Sequence, residues 1–271
     1  YLLRHGKQIL GATAKPFSPH SPHRIYSAAK GIQALGVMFL IQEGKLSLDD
    51  KVIDVFHDYL PPEGVSEEMR QMTVYHLLTM SNGSPRPAFY QMRQKESGWL
   101  TEFLRQKPMR TPGEMFDYNN GPPHMVCAIP RVLTGQNMIE YLTPRFFEPV
   151  GITDLCGVSQ DPPDLEPMTQ CMSPVNFVKL AQFFLQHGRW EGRQILRSDL
   201  CDLVGRMHLP TRDADHRSHK QAGFGLFCRR NRFGGFRFSG GYGQEAIVLP
   251  ELDLACAYMS NCDTNVYDRL L

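Results

Sequence analysis

The sequence predicts an α+β fold: an antiparallel sheet built from both chain ends, flanked by helices, with a mostly helical lobe inserted between. Three observations predict it. Apolar runs flank a turn-forming His5-Gly6-Lys7 at the start. Helical periodicity, broken by Pro and Gly clusters, fills the middle. From about residue 222 the chain changes to short apolar or aromatic runs separated by Gly, Pro and Asp. The 271 residues read as one domain, with a sheet lobe of about 1–50 and 206–271 and a helical lobe of about 51–205.

Taken in order, residues 1–14 read as a strand pair, and the Pro- and His-rich Pro16 to Arg24 as irregular chain. Ala28 to Glu43 is a long helix, with Ile32, Leu35, Phe39 and Leu40 at helical spacing and Gly44 as its stop. Ser47-Leu48-Asp49-Asp50 resembles a fresh N-cap region. Val74 to Met80, Gly98 to Arg105, Pro122 to Leu133, Met138 to Phe147 and Val175 to Gln186 carry helical periodicity. Gly223 to Arg229, Phe233 to Ser239, Glu245 to Leu249 and Leu254 to Ser260 read as strands. Leu155 to Pro174 has no regular pattern, and the pairs Phe146-Phe147 and Phe183-Phe184 are expected in the core.

Composition excludes several functions. Lys+Arg 29 against Asp+Glu 28 leaves a net charge of +1, with no basic field for nucleic acid. The longest apolar run, Ala34 to Ile41, is far too short to span a bilayer. Seven cysteines without a C-x-x-C pair fit reduced thiols rather than a disulfide framework, so the expected compartment is cytoplasmic, with a periplasmic or secreted protein as the alternative. The chain opens inside the strand-like Tyr1-Leu2-Leu3-Arg4, and Asp268 to Leu271 reads as a helix just begun. Both native termini are therefore expected to lie beyond the sequence shown. Oligomeric state is unreadable here.

The sharpest local feature is Tyr26-Ser27-Ala28-Ala29-Lys30, where a loop enters the first long helix. Residues three apart share a helix face, so the Ser27 hydroxyl and Lys30 amine are neighbours. A serine becomes a nucleophile when a base takes its proton, and a lysine serves as that base once burial or charge lowers its pKa. The same letters also suit a plain N-cap serine and a solvated first-turn lysine. Tyr118-Asn119-Asn120 offers a phenol and an amide, or simply a half-buried loop aromatic followed by a turn. His20-x-x-His23 and His216-x-x-His219 lack a third matched ligand, and no metal is expected. Asn82-Gly83-Ser84 is a formal glycosylation triplet of little weight.

Beyond these letters, Pro22 to Lys30, Glu43 to Val52, Thr73 to Met80 and Phe147 to Asp154 resemble, in order and spacing, the serine beta-lactamase/penicillin-binding-protein superfamily. The likeness is to its class C-related serine hydrolase branch. The resemblance implies the beta-lactamase/transpeptidase-like fold, Ser27 as nucleophile and Lys30 with Tyr118 as acid/base pair. It also implies that Asn120 bonds the substrate and Lys30, and that no cofactor is needed. Its third motif, a strand carrying K-T-G or H-x-G, corresponds to Phe238-Ser239-Gly240. The resemblance makes Ser239, Gly240 and Gly241 substrate-binding, with an oxyanion hole from the N–H groups of Ser27 and Gly241. Read alone, Gly240 to Gly243 also suits a hairpin turn. Phe238 replaces the family's cation, which makes small esters or amides the expected substrate, with beta-lactamase or D-alanyl peptidase/carboxypeptidase activity as the alternative. A non-catalytic binding module on the same fold is the alternative from another class.

Overall fold

His5 and Gly6 both take positive φ, 50° and 71°, the backbone that a two-residue hairpin needs to follow the twist of its strands. Their turn joins β1 (Leu2–Arg4) to β2 (Lys7–Leu10). The computed structural model describes residues 1–84, 98–158, 169–211, 223–231 and 233–262. Across nearly the whole chain, β1 pairs with β12 (Leu254–Tyr258), placing Leu2 opposite Cys256 and Arg4 opposite Leu254. Next come β11 (Gln244–Leu249) and β10 (Phe236–Gly240), then the two-residue β9 (Arg229–Arg230) and β8 (Gly223–Phe224). The sheet is antiparallel throughout, in the order β2-β1-β12-β11-β10-β9-β8. The single run expected over Gly223 to Arg229 is split because Phe227 takes φ 58° and reverses the chain.

A second sheet escaped sequence reading. β3 (His23–Arg24), β4 (Cys156–Val158) and β5 (Thr169–Met172) form it in the order β3-β5-β4. The end of the Pro-rich stretch is thus a strand, and the described ends of Leu155 to Pro174 are strands too. Their pairing partners are remote in sequence, so local composition does not reveal them. A short hairpin, β6 (Arg189–Trp190) with β7 (Arg193–Gln194), was likewise unsignalled.

The helix α1 (Lys30–Gln42) is buried on all sides from Lys30 to Leu40, as a helix apolar all round should be. Its two glycines permit this. A Cβ on Gly31 would lie 2.8 Å from the Phe238 ring, and one on Gly36 would collide with Met138. The helix therefore touches the sheet on one side and the helical region on the other. That region comprises α2 (Val52–Val55), α3 (Glu67–Gln71), α4 (Val74–Leu78), α5 (Trp99–Arg105), α6 (Gly121–Thr134) and α7 (Met138–Leu142). Beyond α7 the helix widens into a π turn, Thr143–Phe147, where Pro144 has no N–H to give. Then α8 (Pro174–Leu185) lies across the sheet and α9 (Ser198–Gly205) follows. Phe146 and Phe183 meet in the core with ring centroids 4.9 Å apart. Among the described residues, no helix is long and apolar enough to cross a membrane.

Strand alternation assigns faces. Phe236, Phe238, Ala246, Val248, Ala255 and Ala257 are buried, whereas their neighbours Ile247, Cys256 and Tyr258 are only partly covered. Phe238, 1% exposed, sits against Gly31 and stacks near Phe184 at 5.1 Å and Phe236 at 5.8 Å. Its ring is thus part of the joint between sheet and α1. Phe238→Ala is expected to cost about 3–5 kcal/mol, read from the denaturant midpoint.

Candidate active site

The turn that carries Ser27 is held from both sides. The Ile25 amide donates to the Gln170 carbonyl of β5 at 2.9 Å, and the Ala28 amide donates back to the Ile25 carbonyl at 3.1 Å. Between them Tyr26 takes φ 48°, an uncommon conformation for a residue with a Cβ, and a 3-10 turn over Tyr26–Ala29 runs into α1. This brings Ser27 and Lys30 together as their spacing predicts. Lys30 Nζ donates to Ser27 Oγ at 3.0 Å, and the lysine is only 6% exposed.

The third and fourth groups arrive on the loop before α6. That loop is tied down by the Gly113 amide on Ser81 O and the Asp117 amide on Met80 O, both 2.8 Å. Asn119 reinforces it by donating to Asn82 Oδ1 and to the Ser84 carbonyl, and by accepting from the Gly121 amide. Asn82 is fully buried in this contact, so the glycosylation triplet is not a surface acceptor. Asn120 sits at the N-cap of α6, but its side chain makes no cap bond. Its Oδ1 accepts instead from Lys30 Nζ at 3.4 Å.

Tyr118 completes the cluster, its hydroxyl in hydrogen-bonding contact with Lys30 and Ser27. Burial alone would push its pKa up. The Lys30 charge, the bonds from Lys30 and Ser27 and the Arg229 charge outweigh it, and the phenol lies below the ordinary tyrosine value. Both cations stand the same distance from the ring, with Lys30 Nζ and the Arg229 guanidinium carbon each 5.1 Å from its centroid.

On the sheet side, Gly240 meets the Ser27 turn backbone to backbone. A Cβ there would collide with the Ile25 carbonyl and lie 3.2 Å from the Ala28 amide nitrogen. Gly241 is next to the Tyr26 ring, and the turn it begins is shaped by Gln244, whose Nε2 donates to the carbonyls of Gly241, Tyr242 and Ser260. The turn and strand readings of this segment both hold, because Gly240 ends β10 and the turn follows it. Ser239 is placed differently from the others. Its hydroxyl donates to Glu245 Oε2 at 2.8 Å, beside Arg237, whose Nη1 lies 3.7 Å from Glu245 Oε1. That hydroxyl serves the sheet, and it is not part of the Ser27 cluster.

Sequence reading missed Arg229 and Gln244. The first was counted as the last residue of an apolar strand, and an arginine closing such a run was the available signal. His23 bonds to the Arg24 carbonyl and to Asn261, while His216 and His219 lie outside the described residues. Among the described residues no group of three or more His, Cys, Asp or Glu could hold a metal ion.

Comparison with known proteins gives the family and the fold. A profile of the Beta-lactamase family matches residues 1–270. The chain belongs to the Beta-lactamase family. Its fold is the beta-lactamase/transpeptidase-like fold, and members of the family are serine hydrolases. Protein flp of Staphylococcus aureus (strain N315) is 26% identical over 142 residues, which is 50% of this chain and 28% of that protein. The match thus covers less than a third of that relative's length. The solved structure of EstCE1, a hydrolase with promiscuous acyltransferase activity, is similar with a TM-score of 0.75 at 15% identity. The match covers 97% of this chain and 88% of that one. D-amino acid amidase from Ochrobactrum anthropi SV3 is similar with a TM-score of 0.72 at 18% identity, covering 94% and 92%. At these identities the two structures speak for the fold alone.

A titration isolates the Tyr118 environment within the Beta-lactamase-family fold. The tyrosinate absorbance present in wild type and missing from Tyr118→Phe is expected to appear below the pH at which ordinary tyrosine ionises. Removing a nearby positive charge disfavours the phenolate, so Arg229→Met is expected to move that step to higher pH.

Proposed function

We propose that the protein is a serine hydrolase that cleaves small esters or amides through an acyl-enzyme on Ser27. The observation that carries this reading is the buried Lys30 ammonium bonded to Ser27 Oγ at 3.0 Å, within reach of Tyr118. The family membership supports it, since a serine with a paired base is what its members use.

In this mechanism the Tyr118 phenolate, favoured by two cations, takes the Ser27 proton as the hydroxyl oxygen attacks the substrate carbonyl. Lys30 holds the Ser27 oxygen and the phenolate in position. The oxyanion is received by the N–H groups of Ser27 and Gly241, a pairing that the close approach of Gly240 to the Ser27 turn supports. Tyr118 then gives its proton to the leaving alkoxide or amine. Water, deprotonated by the same phenolate, attacks the acyl-enzyme and frees Ser27. Asn120 bonds Lys30 and is offered to the substrate amide or ester. Ser239 contributes backbone to this site and keeps its hydroxyl for Glu245.

Arg229 favours a second reading of substrate charge. The buried Phe238 cannot attract an anionic group, but Arg229, from the neighbouring strand, brings a guanidinium to the face of Tyr118. Substrates bearing a carboxylate, D-alanyl peptides and beta-lactams among them, then gain a partner.

Hydrolysis of a short-chain p-nitrophenyl ester by wild type and by Ser27→Ala tests the main reading. Ser27→Ala is expected to lose at least about a thousandfold in turnover, and Tyr118→Phe about 10²–10⁴-fold. Equal rates in wild type and Ser27→Ala, or no acyl adduct on Ser27, would place the fold among binding modules. Comparing a neutral ester with one carrying a carboxylate tests the second reading. Through Tyr118, Arg229→Gln is expected to lower kcat for both esters, but to raise KM for the anionic one alone; an equal change in KM for both would reject this reading.

A further inference from the structure

The small sheet that leads into the nucleophile turn carries two cysteines face to face. Cys156 on β4 and Cys171 on β5 are register partners in an antiparallel pair, and Arg24 on β3 stands opposite Cys171 on its other side. Residues directly opposite in such a pair have Cα atoms about 4.5–5.5 Å apart, inside the range of about 4.4–6.8 Å that a disulfide spans. Their side chains leave the same face of the sheet, and the Cys171 thiol is in hydrogen-bonding contact with Cys156. Cys156 is exposed and Cys171 half-buried, so a small reagent reaches the pair from solvent. The contrast with the remaining thiols is clear. Cys127, Cys201 and Cys228 are buried, and among the described residues no other two of the seven are ladder partners.

We propose that Cys156 and Cys171 form an oxidisable dithiol site, which a peroxide converts into an intramolecular cross-strand disulfide. The thiolate is the attacking species. Burial, then the hydrogen bond and charge of Cys156, push the Cys171 thiol up to about 11 against the opposing charge of Arg24. The exposed Cys156 therefore reacts first. Its sulfur attacks one peroxide oxygen, an S–O bond forms as the O–O bond breaks, and the departing hydroxide takes a proton to become water. The Cys171 sulfur then attacks the sulfenic sulfur. The S–S bond forms, the S–O bond breaks, and a second water leaves carrying the Cys171 proton. The two thiols have lost two electrons and the peroxide has gained them. The bond ties β4 to β5, the strand whose Gln170 carbonyl holds the Ile25 amide at the head of the nucleophile turn.

Peptide mapping of the whole chain after hydrogen peroxide tests the site. No Lys or Arg lies between Arg145 and Lys179, so trypsin leaves both cysteines in one peptide, and a second cut before Asp161 separates them. After peroxide the two halves are expected to stay together until a thiol reductant is added. In Cys156→Ser and in Cys171→Ser they are expected to separate without reductant. Halves that separate in oxidised wild type, with both cysteines alkylated or carried on to sulfinic acid, would overturn the proposal. So would either half joined to Cys262 instead. The wild-type digest decides alone, so a variant that folds poorly leaves the answer intact.

Discussion

A buried lysine organises this protein. An ammonium taken out of water is costly unless hydrogen-bonded, and at the first turn of a helix it also faces the positive end of the backbone dipoles. Lys30 occupies such a place on a helix buried on every side. Three oxygens stand around it, from Ser27 on its own turn, from Asn120 at the head of α6 and from Tyr118 on the preceding loop. Satisfying one cation therefore requires α1 and the helical region to meet at a single point. The groups that answer this need are those to which the proposed function gives roles.

Glycine makes the meeting possible. Gly31 lets Phe238 seat against α1, Gly36 admits Met138 on the opposite side, and Gly240 lets β10 touch the turn that carries Ser27. In each case the contact replaces a Cβ that would collide or crowd. The same logic explains why a phenylalanine is tolerated where the resemblance leads one to expect a cation. On this face of β10 the alternation points residue 238 into the joint, where an aromatic ring fills space. The charge near Tyr118 comes instead from Arg229 on the next strand, whose register partner is Arg237.

Much of the architecture was legible in the sequence. The hairpin at His5-Gly6, the helix after Lys30, the helices near Val74, Trp99, Gly121 and Pro174, and the strands around residues 236–258 all carry local periodicity and turn chemistry. Boundaries moved where geometry intervened, as at Phe227, whose positive φ divides one run into two strands. The β3-β5-β4 sheet carries no such signal, because its strands are two to four residues long and pair across distant parts of the chain.

The site divides along the same line. Ser27 and Lys30 are neighbours by the arithmetic of one helical turn, so their contact is written in four consecutive letters. Tyr118, Asn120 and the Gly240 strand entered through resemblance to a family, since nothing local says that residues some ninety and two hundred positions away share one point. Only the tertiary structure decided that Ser239 turns to Glu245, that Phe238 is core, that Arg229 reaches Tyr118 and that Cys156 faces Cys171. Each of these depends on strand register, and register follows from which distant segments pack together. Local spacing does not contain it.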